Sequence, residues 1–254
     1  MIQDFSGKRV LVTGASRGIG RTLAEDFAAR GARVAVNFQR SADLADEVVT
    51  GITAAGGNAF AVQADVGVGQ QVQGMFDDIE VRMGGMDILV NNAGINRDAP
   101  IAEMTEEDWD TVIATNLKGA FLCCRSAVRL MQSEKIDGGR IISISAITSH
   151  VGRENAANFC ASKGGLDALT RALAVELGPG ITVNAIVLGF MNSPLARAVF
   201  TKEQIASAQA RIPAGRLGEF SEVSALVRYL ASGAAAFLTG QAIGLDGGQI
   251  IRMP

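Results

Sequence analysis

A glycine-rich turn near the start of the chain has the residue types and spacing of a phosphate-binding loop. An apolar stretch at residues 9–13 leads into Thr13–Gly20, which reads TGASRGIG, and a helical pattern follows. Glycines let the backbone approach a pyrophosphate closely, and a helix N-terminus offers free N–H groups and the positive end of a dipole. The spacing differs from the common G-x-G-x-x-G fingerprint. We predict a dinucleotide site here; a purely structural turn is the alternative.

Two arginines indicate which dinucleotide the site would take. A site for NAD(H) usually places a carboxylate after the second strand, where it holds the ribose 2′-hydroxyl. This chain has no acid there, because the segment that starts at Asn37 reads NFQRS. Arg17 and Arg40 instead supply guanidinium groups for a 2′-phosphate. We therefore favour NADP(H) over NAD(H), with Asn37 and Arg40 beside the cofactor; two solvated arginines are the simpler alternative.

Two further polar segments stand at the ends of predicted strands. Asp65 follows the third strand, where it could accept a hydrogen bond from an adenine amino group. Residues 91–94 read NNAG and end the fourth strand. Open parallel sheets bind ligands at this carboxyl edge. A turn explains the second segment equally well when it is taken alone.

A third segment, residues 139–167, runs from an apolar strand through a polar loop into a helix. The helix carries Phe159 and, one turn later, Lys163. His150 lies in the loop, where it could approach a cleft and donate a proton. A solvated loop histidine is the simpler interpretation. The only tyrosine, Tyr229, lies in a later helical segment and is interpreted as a packing residue.

Alternating strands and helices must position these segments. The predicted strands are Arg9–Thr13, Arg33–Asn37, Ala59–Gln63, Ile88–Asn91, Arg140–Ser145, Thr182–Val187 and Ala242–Leu245. The predicted helices are Gly18–Arg30, Ala42–Ala55, Gln70–Met83, Glu106–Ser133, Ala156–Leu177 and Ser221–Leu230. This pattern predicts a doubly wound, Rossmann-type α/β fold, with a seven-stranded parallel sheet and helices on both faces. No repeat or low-complexity linker interrupts it, so residues 1–254 are predicted to form a single NAD(P)-binding domain.

Residues 188–215 break this alternation. They include Met191, Leu195, Phe200 and Ile205 and are too apolar for a plain surface loop. We predict a lid over a substrate cleft; a contact between subunits is the alternative.

Composition excludes several kinds of partner. The net charge of −3 argues against a nucleic-acid surface. No apolar run reaches the roughly 20 residues of a membrane helix. The three cysteines, Cys123, Cys124 and Cys160, lack the spacing of metal ligands and fit a reduced protein. We expect a cytoplasmic protein with no metal site and no nucleic-acid or membrane partner.

Together these segments resemble the short-chain dehydrogenase/reductase family, in its order and spacing, over essentially the whole chain. The resemblance rests on Thr13–Gly20, Asp65, Asn91–Gly94, Asn116, residues 139–165, Leu238–Gln241 and Asp246–Gly248. Within that family, the motifs of the chain are similar to those of 3-oxoacyl-carrier-protein reductases and glucose-dehydrogenase-like members. The resemblance implies a nicotinamide-dependent oxidoreductase.

The resemblance also implies a role for each matched position. The cofactor positions are Gly14, Ser16, Arg17, Gly18, Ile19 and Gly20 at the pyrophosphate, Asp65 and Val66 at the adenine, Asn91, Ala93 and Gly94 at the ribose, and Gly189 and Ser193 at the nicotinamide. Lys163 would hold the nicotinamide ribose and lower the pKa of a catalytic tyrosine. Asn116 would organise a water molecule. The tyrosine and a serine would bind the substrate carbonyl.

Both of those hydroxyl groups are missing here. Phe159 occupies the tyrosine position, four residues before Lys163, and Ala146 occupies the serine position. Ser145 precedes Ala146, but adjacent strand residues face opposite sides of a sheet. Ser145 and His150 remain alternative proton donors.

The sequence therefore predicts an NADP(H)-dependent ketoreductase that is catalytically impaired, acting on a small-molecule or carrier-bound carbonyl. An engineered inactive variant and a naturally divergent member both explain Ala146 and Phe159. The alternative function is a non-catalytic nucleotide-binding subunit or regulator that partners an active homologue. The resemblance implies a homo-oligomer, either a dimer or a tetramer, and the alternative implies a hetero-oligomer.

Overall fold

The computed structural model describes residues 4–136, 138–193 and 201–251. Within them, a parallel sheet is built from β1 (Arg9–Val12), β2 (Arg33–Phe38), β3 (Asn58–Gln63), β4 (Ile88–Asn91), β5 (Gly139–Ala146), β6 (Ile181–Leu188) and β7 (Ala242–Leu245). Its order is β3-β2-β1-β4-β5-β6-β7, and every neighbouring pair is parallel. The predicted seven-stranded, doubly wound sheet is confirmed.

Helices cover both faces of the sheet. The longer helices are α1 (Gly18–Ala28), α2 (Ala42–Ala54), α3 (Gly69–Met83), α4 (Glu106–Ile113), α5 (Gly119–Ser133), α6 (Ala157–Leu177), α7 (Lys202–Ala210) and α8 (Phe220–Ala231). Apolar residues of α1, α2 and α8 pack on one face, and those of α3, α5 and α6 pack on the other. Five strands bury both of their faces and therefore read as nearly continuous apolar runs: β1, β2, β4, β5 and β6. The edge strands β3 and β7 are partly exposed.

The sheet order places the predicted site residues at one edge. The chain leaves β3 at one side and re-enters the sheet at β4, beside β1, so strand order reverses between β1 and β4. Ligands bind outside the carboxyl ends of the strands at such a switch point. The turns after β1, β4, β5 and β6 all open at this edge.

Two features differ from the prediction. The single helix expected over 106–133 is interrupted by a π-helical turn, Ala114–Lys118, which contains Asn116. Such turns are rare and are frequently found at functional sites. The predicted lid region contains α7, which a capping box between Thr201 and Gln204 starts. That capping pattern was readable in the sequence. Residues 194–200 of the predicted lid lie outside the described residues.

Candidate active site

The glycine turn between β1 and α1 has a backbone that other residues could not adopt. Gly14 and Gly18 have φ of +61° and +60°, in the left-handed region. A Cβ on Gly20 would lie 2.5 Å from the Gly14 carbonyl oxygen and 2.5 Å from Asn92 Nδ2. Only glycine fits there, because both contacts are far inside van der Waals distance. The three glycines therefore shape the turn itself.

Two polar side chains that the sequence did not single out as a pair hold this turn in place. Thr13 Oγ1 accepts hydrogen bonds from the backbone N–H groups of Asn92 and Ala93, each at 3.0 Å. Asn92 Nδ2 donates to the carbonyl oxygens of Thr13 at 2.8 Å and Gly14 at 3.1 Å. The turn after β1 and the segment after β4 are thereby fixed to each other.

Asn37, predicted beside the cofactor, is buried beneath the turn. Its Oδ1 accepts from the Gly14 N–H at 3.1 Å, and its Nδ2 donates to the carbonyl oxygens of Val62 and Ala64. The side chain thus joins β2, the end of β3 and the glycine turn. Its described contacts position the cradle, and its predicted cofactor contact stays a prediction.

The N-terminus of α1 suits a phosphate group. Arg17 is the N-cap residue, no side chain caps the helix, and its first turn has no acidic residue. Its orphan N–H groups and dipole therefore face the turn without a competing anion. Arg17 and Arg40 are exposed, and neither guanidinium has an ion pair or hydrogen bond within the described residues. These features fit a dinucleotide phosphate.

Asp65 and Val66, which are the predicted adenine positions, follow the end of β3. Asp65 Oδ2 accepts from Gln39 Nε2 at 2.6 Å, and its Oδ1 accepts from the Gly67 N–H at 2.9 Å. Val66 is buried against Gly119 at the start of α5, where a Cβ would come within 2.8 Å of Val66 Cγ2. Asp65 keeps spare lone pairs, since each carboxylate oxygen can accept more than one hydrogen bond.

The segment after β4 connects this cradle to the second half of the site. Asn91 Nδ2 contacts Cys124 Sγ at 3.2 Å, while Asn91 Oδ1 is buried and has no partner within the described residues. Ala93 backs the glycine turn, because a Cβ on Gly14 would lie 2.9 Å from Ala93 Cα. Gly94 faces the next group of predicted residues.

Three of the predicted site residues lie close together: Lys163, Asn116 and Gly94. A Cβ on Gly94 would lie 3.5 Å from Asn116 Oδ1 and 3.7 Å from Lys163 Nζ. Asn116 is 1% exposed; its Oδ1 accepts from the Ile95 N–H at 2.8 Å, and its Nδ2 donates to the Ile95 carbonyl oxygen and to Ser162 Oγ. The π-helical turn therefore lets one asparagine join the loop after β4 to α6.

Lys163 is buried and electrostatically perturbed. It is 5% exposed, and its Nζ donates to the Ile144 carbonyl oxygen at 2.7 Å. Burial lowers the pKa of Lys163 to about 8, and the nearby Asp167 opposes that change. A buried ammonium with a depressed pKa can give up its proton near neutral pH.

Phe159 and Ala146 lie beside this lysine with no hydroxyl group. Lys163 Nζ is 5.6 Å from the centroid of the Phe159 ring, and Arg153 Cζ is 5.3 Å from it. Ala146 is the last residue of β5 and pairs with Leu188 of β6. The aromatic ring thus has cations nearby, but its edge carries no proton to donate.

The two alternative donors have different surroundings. Ser145 is 2% exposed, and its buried Oγ has no hydrogen-bond partner within the described residues, so it does not open onto the cleft. His150 follows the short 3₁₀ turn Ile147–Ser149, and its Nε2 lies 3.7 Å from Asp167 Oδ2. The histidine is exposed, and the carboxyl group that it approaches is buried. Asp167, its partner, was missed by sequence reasoning, because the burial of a helix carboxylate has no signature in a local pattern.

A cavity opens beside the predicted nicotinamide end. Gly189 is required there, because a Cβ would lie 2.3 Å from Gln249 Oε1 and 2.7 Å from Asp246 Cα. Ser193 follows within the same loop, and its N–H donates to the Met191 carbonyl oxygen. The cavity, of about 310 Å³, is lined by Phe190, Met191, Gln204, Ile205, Ser207, Ala208, Arg211 and Leu217. It lies between the end of β6 and α7.

Neither a three-residue metal cluster nor a membrane-spanning helix is present in the described residues. In residues 4–136, 138–193 and 201–251, no three His, Cys, Asp or Glu side chains are grouped as a metal site would need. Across the same ranges, no helix combines the length and the apolar character needed to cross a lipid bilayer.

The fold and the site together define a Rossmann-type protein with a glycine-rich turn next to a lysine-centred polar site. A family model described as enoyl-(acyl carrier protein) reductase matches residues 14–249. The chain belongs to the short-chain dehydrogenase/reductase family of oxidoreductases, as its motifs predicted.

Relatives within the family are named for different activities. The chain is 42% identical to the 3-oxoacyl-[acyl-carrier-protein] reductase FabG of Staphylococcus aureus, over 95% of this chain and 97% of the relative. It is 39% identical to 3beta-hydroxysteroid dehydrogenase 1 of Eggerthella lenta, over 99% and 97%. A gluconate 5-dehydrogenase from Burkholderia cenocepacia, solved with NADP and tartrate, has a TM-score of 0.92 and 33% identity, covering 99% of this chain and 98% of that one.

Proposed function

We propose that the protein is an NADP(H)-dependent carbonyl reductase whose proton-donating hydroxyl groups are replaced by Ala146 and Phe159. The observation that carries this proposal is the buried Lys163 ammonium, 5.6 Å from the Phe159 ring and beside Gly94, at the ligand-binding edge of the sheet. The relatives named 3-oxoacyl reductase and hydroxysteroid dehydrogenase support a reaction between a ketone and an alcohol. The proposed substrate is a small-molecule or carrier-bound ketone.

In this proposal, one group of residues binds the cofactor and another positions Lys163 at the reacting end. When bound, the reduced nicotinamide supplies the hydride. The glycine turn and the α1 N-terminus hold the pyrophosphate, and Arg17 and Arg40 hold the 2′-phosphate. Asn116 fixes the loop after β4 against α6, so that Lys163 stays at the reacting end. We assign the substrate to the cavity between β6 and α7, whose lining includes Phe190, Met191 and Leu217.

The missing hydroxyl groups set the expected rate. Loss of a positioned proton donor typically slows a reaction about 10²–10⁴-fold, and loss of an oxyanion donor about 10²–10³-fold. The two losses need not multiply, because groups that act as a unit are not additive. The rate of ordinary ketone reduction by this chain should therefore be low but measurable. The test is NADPH oxidation with β-ketoacyl thioesters and cyclic ketones at high protein concentration.

The second candidate function is a nucleotide-binding regulatory subunit that partners an active homologue. Its support is specific: both hydroxyl positions are lost while the cradle, Asn116 and Lys163 are all retained. Tight NADPH binding without turnover, even after both hydroxyl groups are restored, would favour this candidate. For either function we propose a cytoplasmic oligomer, homomeric for the reductase and heteromeric for the regulator.

The nucleotide preference leads to a first prediction. Arg40→Ala should raise the dissociation constant for NADPH about 10–100-fold and leave that for NADH within about 2-fold, because a charge-assisted hydrogen bond to a phosphate contributes about 1.5–3 kcal/mol. Fluorescence titration of each reduced cofactor measures both constants. Arg82→Ala is the matched control, since Arg82 pairs with Asp78 near the end of α3, at the opposite edge of the sheet. Equal weakening of both cofactors by Arg40→Ala would contradict the preference for NADP(H).

A further inference from the structure

One arginine in the lining of the larger cavity has no acidic partner. Among the described residues that line this cavity of about 310 Å³ between β6 and α7, Arg211 is the only charged one. Its guanidinium forms no ion pair within the described residues, and its side chain is exposed. The apolar lining residues are Phe190, Met191, Ile205, Ala208 and Leu217. The cavity thus combines an apolar wall with a single uncompensated positive charge.

Arg211 is held at one nitrogen and leaves the others free. It is the C-cap residue of α7, and its Nε donates a hydrogen bond to the Ser207 carbonyl oxygen at 3.3 Å. That contact satisfies one of the carbonyl groups that a helix end leaves without a partner. Helix capping therefore explains the Nε contact alone. The N–H groups of Nη1 and Nη2 have no partner within the described residues, and paired guanidinium N–H groups are the donors that bind a carboxylate in a bidentate way.

A smaller cavity next to this one has the opposite arrangement. It has a volume of about 140 Å³, and Arg216, Glu222 and Asp246 belong to its lining. Arg216 donates to both carboxylate oxygens of Glu222, at 2.8 and 2.6 Å. Asp246 accepts hydrogen bonds from the backbone N–H groups of Gly248 and Ile250. The charged side chains of the smaller cavity are therefore satisfied within the chain, whereas the charge of Arg211 is available to a ligand.

The lining of the larger cavity defines the chemistry of that ligand. Its apolar residues favour a hydrocarbon segment, because removing apolar surface from water is favourable. Its guanidinium favours an anion with two oxygens in one plane, which is the geometry of a carboxylate. Small-molecule sites have volumes of roughly 300–1,000 Å³, so this cavity holds a compact ligand. A short hydrocarbon chain that ends in a carboxylate fits all three properties.

We propose that Arg211 is a specificity-determining residue and that the substrate is a small keto acid, whose carboxylate binds Arg211 while its hydrocarbon segment lies against the apolar lining. This proposal rests on the proposed reductase function and on the assignment of the substrate to this cavity. The ketone carbon gains a hydride from the reduced nicotinamide, which is oxidised, and the ketone oxygen gains a proton that comes ultimately from solvent. The carboxylate is unchanged by the reaction. Arg211 binds the end of the substrate that does not react.

The first experiment compares keto acids with their neutral esters. It uses the Ala146→Ser/Phe159→Tyr background, levulinate and its longer straight-chain homologues, and the methyl ester of each. Arg211→Ala should raise KM for the keto acids about 10-fold and change kcat less than about 2-fold, because the lost contact is the same in the ground state and the transition state. KM for the methyl esters should stay within about 2-fold, since they have no anionic end. Arg211→Lys should restore part of the affinity for the acids only.

A matched control removes a positive charge from the same helix. Lys202→Gln changes the first residue of α7, which does not line the cavity, and should leave KM for acids and esters unchanged. Ala208→Leu places a larger side chain in the cavity and should raise KM for acids and esters alike. If Ala208→Leu leaves both constants unchanged, the cavity is not the substrate site and the proposal is wrong.

The second experiment measures binding without turnover. Calorimetric titration of the parent protein with hexanoate should give a dissociation constant about 10-fold lower than that of the Arg211→Ala protein. Added salt should weaken hexanoate binding to the parent, because it screens the charge of an exposed guanidinium. Methyl hexanoate should bind both proteins equally.

The outcomes separate the proposal from the function on which it rests. Equal effects of Arg211→Ala on keto acids and methyl esters would overturn the role of Arg211, as would an unchanged affinity for hexanoate. A larger effect on a β-ketoacyl thioester of phosphopantetheine than on the keto acids would overturn the small keto acid in favour of a carrier-bound substrate. If no variant reduces any ketone, the proposed function is wrong, and the hexanoate titration alone decides whether Arg211 binds a carboxylate.

Discussion

The double substitution Ala146→Ser and Phe159→Tyr is expected to raise the rate of NADPH-dependent ketone reduction by about 10³–10⁴-fold. Each change adds one oxygen to a side chain whose position is already set by the end of β5 or by α6. The pair restores a proton donor and an oxyanion donor with almost no change in volume. Cofactor affinity should stay within about 2-fold, because neither position belongs to the glycine turn.

The surroundings of position 159 favour a reactive phenol. Lys163 Nζ and Arg153 Cζ lie 5.6 and 5.3 Å from the ring centroid. Nearby cations favour the ionised form of a phenol and so lower its pKa. The restored hydroxyl should therefore transfer its proton more readily than an ordinary tyrosine.

The controls separate a restored relay from a general effect on the protein. Each single substitution should give a smaller gain than the pair, because the two hydroxyl groups act on one oxygen. Tyr229→Phe, which removes a hydroxyl from an exposed side chain of α8, should leave the rate of ketone reduction unchanged. If the double variant binds NADPH but reduces β-ketoacyl thioesters and cyclic ketones no faster than the parent, the account of a degraded reductase is wrong. Serine and tyrosine codons in the source gene would identify an engineered chain.

Gly20→Ala should abolish useful cofactor binding, with dissociation constants for both NADPH and NADH raised at least about 100-fold. The added Cβ would lie 2.5 Å from both the Gly14 carbonyl oxygen and Asn92 Nδ2, so the turn must move. That movement would disturb the α1 N-terminus and the hydrogen bonds that join the turns after β1 and β4. Overpacking of this kind also costs about 1–3 kcal/mol of folding free energy. Fluorescence titration and thermal unfolding measure the two effects.

Gly51→Ala is the matched control for that substitution. Gly51 lies within α2, and a Cβ there would meet no atom within 4 Å. The change should leave cofactor binding intact and raise stability by up to about 1 kcal/mol, as alanine favours a helix interior. A Gly20→Ala protein that binds NADPH as tightly as Gly51→Ala would show that the glycine turn is not the cofactor cradle.

The order of strands and helices was predictable, because apolar runs of strand length alternate with helical patterns and the inner strands are buried on both faces. The π-helical interruption at Ala114–Lys118 was not predictable. It depends on Asn116 reaching Ile95 and Ser162, which are distant in sequence. The helix α7 was not predicted, because the whole of residues 188–215 was interpreted as a lid. Its capping pattern of Thr201 and Gln204 was present in the sequence.

The candidate site, like the fold, has residues that were predictable from the sequence and residues that were not. Gly14, Gly18 and Gly20 were predictable from local spacing, and the positions of Lys163 and Phe159 from a helical interval. The burial of Asn37 beneath the glycine turn was not predictable. A polar residue at the end of a strand has the same local sequence pattern whether it faces a ligand or a neighbouring backbone. Asp167 reads as an ordinary helix-surface acid four residues after a lysine. Its burial depends on how α6 packs against the sheet and on the loop that carries His150.

The position of β1 beside β4 has a consequence for how the molecule assembles during synthesis. Every strand after β4 adds to the outside of the strand made before it. The glycine turn and its supports, Thr13, Asn92 and Ala93, are complete once residue 94 has left the ribosome. The lysine centre must wait for β5 and α6. A chain that ends between the two stages would contain the glycine turn but not Lys163, and it would leave the edge of β4 unpaired.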